Sequence, residues 1–457
     1  MERQFTVQEF EVRKRELIAE CQVQPADFEG TMERLVEFAK PFLDWLWRQE
    51  QKEHGRKYLV GLLSSVERKN VESIAYLHDQ ERRRLQAFVG TSPWEHQPLL
   101  DELAIQVAKQ VGEPDGVVVF DPSGFPKKGD HSVGVARQWC GRLGKVDNCQ
   151  VGVYLGYVSR QEHALVDFRL YLPKDWATDQ ARRRECGVPK EIRFRTRHQL
   201  ALEMLDEQGD ILPHSWIAGD DEMGRCSWFR SALSGRKERY LLAVPSNTTI
   251  RDLCASVPDG KRKRPFENVR TWAEQVSRDA WVRIDVRDAQ KGPLVAHAVK
   301  TRVLARSGKR CMDQEETLVA IRVTDERGTT KYDYYLSNVT DDTPIAEFVR
   351  VAKAEHRIEE CIQRAKSEAG LADYEVRTWA GWHHHQTLSL IATWFLVQEA
   401  GHEKKIGTGH DRSGGPQVAR GHDRRWTRNN APGSHGAQFN TPTSAHHPGS
   451  PVPLETT

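Results

Sequence analysis

Apolar positions in the first hundred residues recur with the spacing of an α-helix. Phe38, Phe42 and Leu46 follow one another at intervals of four residues, and Leu59 and Leu63 repeat the interval further on. Side chains three or four positions apart lie on the same helix face, so this pattern predicts amphipathic helices with one buried side. We interpret residues 1–108 as a helical domain.

The pattern changes after residue 109, where short apolar runs alternate with helical patterns. The runs "VVVF" and "QVGVYLGY" have the length and composition of strands, and "WIAG" and "YLLAVP" follow later. The predicted strands are 117–120, 150–157, 164–172, 215–219 and 240–245, and the predicted helices are 196–208 and 225–235. Several early strands followed by alternating helices and strands predict an α/β fold with a mixed sheet flanked by helices over residues 109–247.

Two further changes of pattern divide the rest of the chain. Residues 248–342 contain strand patterns such as "AWVRIDV" and "TLVAIRV", which predict a β-rich insertion with charged loops. Helical patterns then cover 344–369 and 383–399, so we assign 343–400 to the same core as 109–247. From Gly401 onward Gly, Pro and His dominate without periodicity, which predicts a disordered tail over 401–457.

Composition excludes several classes of protein. No apolar run approaches the roughly 18 residues of a membrane span, and the N-terminus "MERQFTVQEFEVRKREL" lacks the apolar segment of a signal peptide. The eight cysteines show no paired CxxC spacing, which argues against a structural zinc site and for a reducing compartment. We therefore expect a cytoplasmic protein.

Charge is balanced overall but clustered locally. The chain has 67 basic and 65 acidic residues, a net charge of +2, which neither requires nor excludes a nucleic-acid partner. Basic residues lie between the apolar positions of the helical domain: Arg48, Lys52, Arg56, Lys57, Arg68, Lys69, Arg82, Arg83 and Arg84. This cluster has two interpretations, a solvated helix surface or a DNA-binding domain that contacts phosphates.

Two predicted strands end on carboxylates. Asp121 follows "VVVF" directly, and Asp220 and Asp221 follow "WIAG". A carboxylate at the end of a buried strand loses hydration unless a positive charge meets it, and strand ends are where sites gather in α/β sheets. The alternative is helix capping, a role open to Asp221 or Glu222.

A third carboxylate lies on the buried side of a predicted helix. The apolar stripe through Ile345, Phe348 and Ile362 continues onto Glu355, Glu359 and Lys366, whereas Glu360 points away from it. Either Glu359 forms an internal salt bridge with Lys366, or it turns toward the strand ends that carry Asp121 and Asp220.

Three converging carboxylates without zinc-type ligands favour Mg²⁺ or Mn²⁺, which take oxygen ligands. Two such ions, roughly 3.5–4 Å apart, activate water at a phosphodiester and stabilise the leaving oxygen. Basic residues follow each acid in the sequence and are candidates for binding DNA phosphates: Lys127, Lys128, Arg225 and Lys366.

Three blocks in this order resemble bacterial insertion-sequence transposases of the DDE type. The first is "DPSGFPKKGDHSVGVARQWCGRLGKVDNCQVGVYLGY", the second combines "GDDEMGRCSWFRSAL" with "RYLLAVPSN", and the third is "HRIEECIQRAKSEAGLADYEVRTWAGWHHHQTLSLIATWFL". The resemblance spans roughly residues 30–399.

The resemblance implies a catalytic core of the ribonuclease-H-like fold and an insertion between the second and third acids. It implies Asp121, Asp220 and Glu359 as the acids that bind two Mg²⁺ or Mn²⁺ ions, and Lys366 as a phosphate contact. The implied partners are double-stranded DNA, namely terminal inverted repeats and target DNA, and a second copy of the chain in the synaptic complex. The implied reaction is hydrolysis at the transposon ends and attack of the freed 3′-hydroxyl on target DNA.

Alternatives remain open on the sequence alone. Asp221 competes with Asp220, and Glu375 competes with Glu359. His383–His385 point in different directions on a helix, so they do not form one metal site. The Gly/Pro/His-rich tail stands where related chains continue with another apolar element, which raises the alternative of a catalytically decayed or domesticated DNA-binding protein. A metal-dependent nuclease unrelated to mobility is a third hypothesis.

Overall fold

Within the described residues, five helices form the N-terminal part of the computed structural model. The structure describes residues 30–78, 82–289, 292–307, 310–311, 314–324, 328–340 and 342–409. The helices are α1 (Thr31–Leu43), α2 (Gln49–Leu63), α3 (Val71–Leu77), α4 (Arg82–Gly90) and α5 (Gln97–Val111). Their apolar sides, among them Phe42, Leu59 and Leu103, join the same buried core as the central sheet. Residues 1–29, the start of the predicted helical domain, lie outside the described residues.

A mixed sheet forms the centre of the molecule. Its first strands are β1 (Val117–Pro126), β2 (Ala136–Cys140), β3 (Lys145–Val158), β4 (His163–Tyr171), β5 (Trp216–Gly219) and β6 (Tyr240–Val244). In space the order is β4-β3-β1-β5-β6, with β1 antiparallel to β3 and parallel to β5, and β5 parallel to β6. This is the mixed α/β sheet predicted from the sequence, and its topology is that of a ribonuclease-H-like core.

The helices that follow the N-terminal five pack on the sheet and on one another. They are α6 (Lys174–Thr178), α7 (Gln180–Glu185), α8 (Arg197–Gln208), α9 (Asp221–Gly224), α10 (Ser227–Gly235), α11 (Val269–Gln275), α12 (Ile345–Glu368) and α13 (Trp379–Gly409). Helix α8 begins with a capping box between Thr196 and Gln199. Helix α12 crosses the sheet over β1, β3, β4, β5 and β6. It approaches closely because Gly156 of β3 leaves room for Ile358.

The β-rich segment extends the central sheet. Its strands are β7 (Thr249–Asp252), β8 (Glu267–Asn268), β9 (Val282–Ala289), β10 (Gly292–Ser307), β11 (Arg310–Cys311), β12 (Glu316–Thr324) and β13 (Thr330–Ser337). Strand β13 pairs antiparallel with β6, so the sheet continues through β12, β10 and β7. A second apolar cluster, which includes Ile250 and Trp272, lies on this extension.

A buried ion pair lies where the extension joins the central strands. Arg230 of α10 donates from Nε to Glu316 Oε1 of β12 at 2.7 Å, and Tyr240 donates its hydroxyl to the same oxygen at 2.6 Å. The side chains of Arg230 and Glu316 are only 3% and 0% exposed. The pair ties the two parts of the sheet together through a fully desolvated contact.

Helix α13 is buried between the N-terminal helices and the sheet. His384 stacks on Trp94 with ring centroids 3.7 Å apart, and His385 Nδ1 accepts from the Tyr58 hydroxyl at 2.9 Å. The histidine run therefore packs in the core, and no group of three metal-ligating side chains is found in the described part of the chain. The helix continues to Gly409, beyond the predicted end at 399. Residues 410–457, most of the predicted tail, lie outside the described residues.

None of the helices that the structure describes is long and apolar enough to span a bilayer.

Candidate active site

The register of two parallel strands brings Asp121 and Asp220 together. Phe120 of β1 pairs with Gly219 of β5, and the next residue on each strand is an aspartate. Neighbouring strands lie about 4.8 Å apart, so the two carboxylates start from adjacent positions at the carboxyl edge of the sheet. The sequence predicts that the first strand ends at Phe120, and this predicted end is wrong. Strand β1 continues to Pro126 along β3, and only its pairing with β5 stops at Phe120.

Asp220 also caps the short helix that follows it. Its carboxylate accepts the backbone N–H of Met223 at 3.0 Å. Capping therefore belongs to Asp220 rather than to Asp221 or Glu222, because Asp220 alone stands at the N-cap of α9. Gly224 closes this helix so tightly against β6 that a Cβ there would lie 1.8 Å from the carbonyl oxygen of Ala243. The cap and the close packing fix where the Asp220 carboxylate lies.

Asp221 faces away from this pair. It is exposed, and its carboxylate accepts from the Arg225 guanidinium at 2.8 Å. The structure thus separates the two aspartates that the sequence left in competition. Arg225, a predicted phosphate contact, forms a surface ion pair with Asp221.

Helix α12 brings two glutamates toward the aspartates in different ways. Glu355 is largely buried, and its pKa is raised well above the usual range by burial and by nearby Asp220 and Asp121. Glu359, one turn later, is 66% exposed, and its Oε2 lies 3.6 Å from His356 Nδ1. That histidine is the main cause of the lowered pKa of Glu359. Its charge still reaches Asp121, whose pKa it helps to raise.

Negative charge is concentrated at this edge of the sheet. Burial, followed by Asp220 and Glu359, raises the pKa of Asp121 to about 8. Burial also raises the pKa of Asp220 to about 7, against the capping N–H of Met223 that stabilises its charged form. A cation bound among such carboxylates favours their ionised forms and lowers these raised pKa values.

Lys366 is a basic residue close to Asp121. Its Nζ donates to Ser123 Oγ, two residues after Asp121, at 2.7 Å, and lies 5.0 Å from the Phe125 ring centroid. Burial lowers the pKa of Lys366 to about 8, Asp121 opposes this shift, and Arg142 adds to it. The lysine therefore lies on α12 directly beside the strand that carries Asp121.

The two lysines after β1 have different surroundings. Lys127 donates to the Tyr374 carbonyl at 3.0 Å and lies 3.4 Å from the centroid of the Tyr374 ring. Burial lowers the pKa of Lys127 to about 8. Lys128 is exposed. Of these two predicted phosphate contacts, the structure turns Lys127 into the protein and leaves Lys128 at the surface.

Glu375, the sequence competitor of Glu359, lies elsewhere. Its Oε1 accepts from Asn70 Nδ2 at 3.1 Å, beside the start of helix α3. Glu355 is the residue that sequence reasoning did not select. The signal for it was present, because Glu355 lies on the same helical stripe as Glu359 and Lys366. Which of the two turns inward depends on how α12 sits on the sheet.

Comparison with known proteins agrees with this geometry. The family model described as "DDE superfamily endonuclease" matches residues 41–293, more than half of the chain. A protein of Microchaete diplosiphon, named as a probable transposase for insertion sequence element IS701, is 29% identical over 223 residues. The alignment covers 46% of this chain and 55% of that protein, so the chain spans about half the length of this relative. The family match includes Asp121 and Asp220 and ends before helix α12.

Proposed function

Because this chain belongs to the DDE superfamily endonuclease family, we propose that it is a cytoplasmic DNA transposase that cleaves transposon ends and joins them to target DNA. The observation that carries the proposal is the pairing of Phe120 with Gly219, which sets Asp121 and Asp220 side by side. The likeness to a named transposase supports the choice of transposition among the endonuclease reactions. The proposed partners are terminal inverted repeats, target DNA and a second copy of the chain.

The donor set fits a divalent cation. Asp121 and Asp220 offer carboxylate oxygens in a site where burial raises the pKa of both groups. Such oxygens suit Mg²⁺ or Mn²⁺, and Glu359 of α12 is the third proposed ligand. Bound divalent ions, two in our proposal, activate water and stabilise the leaving oxygen of a phosphodiester.

The remaining residues position the DNA. Lys366 lies beside Asp121 and is suited to hold a phosphate next to the acids, because its ammonium donates to the neutral Ser123 hydroxyl. Lys128 and Arg225 are exposed and extend the proposed phosphate track on either side. Lys127 follows the end of β1 and anchors it to the Tyr374 carbonyl, which holds the strand in place beside the proposed phosphate track.

Cleavage of matched DNA tests the assignment. The substrate is labelled duplex DNA copied from the flanks of the coding sequence, incubated with the full chain and Mg²⁺. We expect Asp121→Ala and Asp220→Ala to reduce cleavage by on the order of 100-fold or more, while Asp221→Ala stays near wild type. Unchanged cleavage in Asp121→Ala would contradict the proposed site. Cleavage without strand joining would identify a nuclease instead.

A matched pair of variants tests the third acid. Glu359→Gln and Glu355→Gln each replace one carboxyl group, on neighbouring turns of α12, by an amide of the same size. We expect Glu359→Gln to abolish cleavage and Glu355→Gln to retain a measurable rate. The reverse ranking would transfer the third ligand to Glu355.

One observation favours a second function, DNA binding without cleavage. The Glu359 carboxylate is directed to solvent and to His356 rather than to the aspartate pair. A chain that binds its flanking DNA tightly but cleaves it in neither Mg²⁺ nor Mn²⁺ would be a decayed or domesticated transposase.

A further inference from the structure

The hairpin between β2 and β3 exposes apolar side chains on its outer face. Cys140 of β2 is buried, so the alternating position Trp139 points outward and is 52% exposed. Val146 lies directly opposite Trp139 in the register and is 50% exposed, and Leu143 in the turn is 41% exposed. A solvated face of an antiparallel hairpin is ordinarily polar, so a tryptophan–valine pair there indicates a binding surface.

This hairpin lies close to the proposed active site. A Cβ placed on Gly124 would lie 3.0 Å from Cys140 Sγ and 3.3 Å from Cys140 Cα, so β2 packs directly on the end of β1. Gly124 is three residues beyond Asp121, a distance of roughly 10 Å along an extended strand. One of the two residues between them, Ser123, accepts the hydrogen bond from Lys366.

Most of the charged side chains around the apolar pair are positive. Arg137 shares the outer face with Trp139, and Arg142 stands in the turn. Within the described part of the chain neither arginine forms an ion pair. Lys145 pairs with Asp147 at 2.9 Å on the surface. Exposed cations around an aromatic side chain are the combination that binds a nucleic-acid strand through its phosphates and bases.

We propose that the outer face of the β2–β3 hairpin, made of Arg137, Trp139, Leu143 and Val146 with Arg142, binds the DNA beside the cleaved phosphodiester. Trp139 stacks on a base, and the arginines hold the adjoining phosphates. The inference rests on the proposed function, since the acids define where cleavage occurs. A base is a better occupant than a second copy of the chain because Arg137 and Arg142 form no ion pair within the described residues. The hairpin also packs on Gly124, three residues after Asp121.

Base-dependent binding tests the stacking. The probe is a duplex with a short 3′ single-stranded extension of thymines, compared with the same duplex carrying abasic sites in the extension, in EDTA so that no cleavage occurs. We expect wild type to bind the thymine probe about 10-fold more tightly than the abasic probe, as stacking on one aromatic side chain predicts. Trp139→Ala should bind both probes alike, and Trp139→Phe should restore most of the difference.

A control variant and a salt titration complete the test. Trp47→Ala removes a 97% exposed tryptophan from the loop between α1 and α2 and should retain the preference for thymines. Arg142→Ala should weaken binding of both probes and reduce the dependence of log Kd on log salt by about one unit or less, because one phosphate contact is lost. Melting temperatures near wild type for all variants show that the fold is intact, as expected for exposed side chains.

Three outcomes would overturn the proposal or leave it standing. An unchanged thymine preference in Trp139→Ala would overturn it. A dimer in sedimentation that Trp139→Ala dissociates, with DNA affinity unchanged, would overturn it in favour of a protein interface. Loss of the preference in Trp139→Ala, with no cleavage by wild type in Mg²⁺, would uphold the DNA-binding face and reject the proposed catalysis.

Discussion

At the scale of single residues, Asp220 combines two roles that the sequence presented as alternatives. It accepts the Met223 N–H as an N-cap and also stands beside Asp121 at the end of the parallel pair. The cap restricts the rotation of the side chain, so the carboxylate is fixed before any ligand binds. A capping role therefore does not argue against a site role when the cap lies at a strand end.

The raised pKa of Asp121 predicts a stability cost in the absence of divalent ions. The folded state holds the proton on Asp121 up to a pKa of about 8, against 3.8 in the unfolded chain. Stability from this group is complete below pH 3.8 and is lost as the pH rises toward 8. Asp121→Asn removes the ionisable group. In EDTA at pH 8 its free energy of unfolding should therefore exceed that of wild type by on the order of 1 kcal/mol or more, and its melting temperature should be higher.

The controls for this prediction separate the site from the surface. Asp221→Asn changes an exposed aspartate and should leave the free energy of unfolding within about 0.5 kcal/mol of wild type. Mg²⁺ should raise the melting temperature of wild type but not of Asp121→Asn, because binding to the folded state alone stabilises it. Equal melting temperatures for wild type and Asp121→Asn in EDTA at pH 8 would contradict the clustering of charge.

At the scale of elements, helix α13 shows how polar side chains are accommodated in a helix that is buried on all sides over residues 381–395. His384 and His385 hydrogen-bond backbone and hydroxyl groups outside this helix. His385 donates from Nε2 to the Gly370 carbonyl at 3.0 Å while Nδ1 accepts from Tyr58, an arrangement that requires the neutral ring. His96 contacts His383 with ring centroids 4.7 Å apart. These rings fill the space between the N-terminal helices and the sheet.

Neutral buried histidines predict loss of stability in mild acid. Burial lowers the pKa of His385 to about 3 and that of His96 also to about 3, compared with 6.5 in the unfolded chain. The unfolded state thus takes up protons first, and stability should fall as the pH drops below 6.5 toward 3. Thermal unfolding followed by circular dichroism from pH 7.5 to 4.5 measures this loss.

Two variants identify the histidines responsible. His385→Gln replaces the ring N–H donor by an amide N–H donor and cannot become charged. We therefore expect the free energy of unfolding to be lower by about 1 kcal/mol at pH 7.5 and to decline less steeply in acid. His131→Gln changes a histidine that is 62% exposed and should reproduce the decline of wild type. A decline of the same steepness in His385→Gln and wild type would show that other groups cause it.

At the scale of the whole molecule, the central strands and the β-rich segment form one sheet held by buried polar contacts. The Arg230–Glu316 pair joins α10 to β12, and Ser337 of β13 donates to the Tyr240 carbonyl of β6 at 2.5 Å. The segment therefore extends the sheet whose β1 and β5 carry the aspartates.

Removal of one partner of the buried ion pair should be severe. Glu316→Gln leaves the Arg230 guanidinium without its counter-charge in a desolvated position, so we expect destabilisation of about 3–5 kcal/mol. Chemical denaturation measures it. Glu274→Gln disrupts the exposed Arg270–Glu274 pair, whose atoms are 3.9 Å apart, and should cost less than about 1 kcal/mol. Similar losses in both variants would contradict this account of the junction.

The sequence by itself determined the elements and the types of residue at the site. Apolar spacing predicted the helix observed at Ile345–Glu368 and the strand at Trp216–Gly219, because periodicity reports directly which side of an element is buried. The carboxylates after buried strands were visible for the same reason. The sequence also indicated the stripe on which Glu355 and Glu359 both lie.

Only the tertiary structure decided which of these residues meet. The parallel register of β1 and β5 joined Asp121 to Asp220. The packing of Ile358 against Gly156 turned Glu355 inward and Glu359 toward solvent, and the Tyr374 carbonyl captured Lys127. Such choices depend on contacts between residues far apart in the chain, which local periodicity does not encode. The sequence therefore identified the acids and cations, and the fold selected their neighbours.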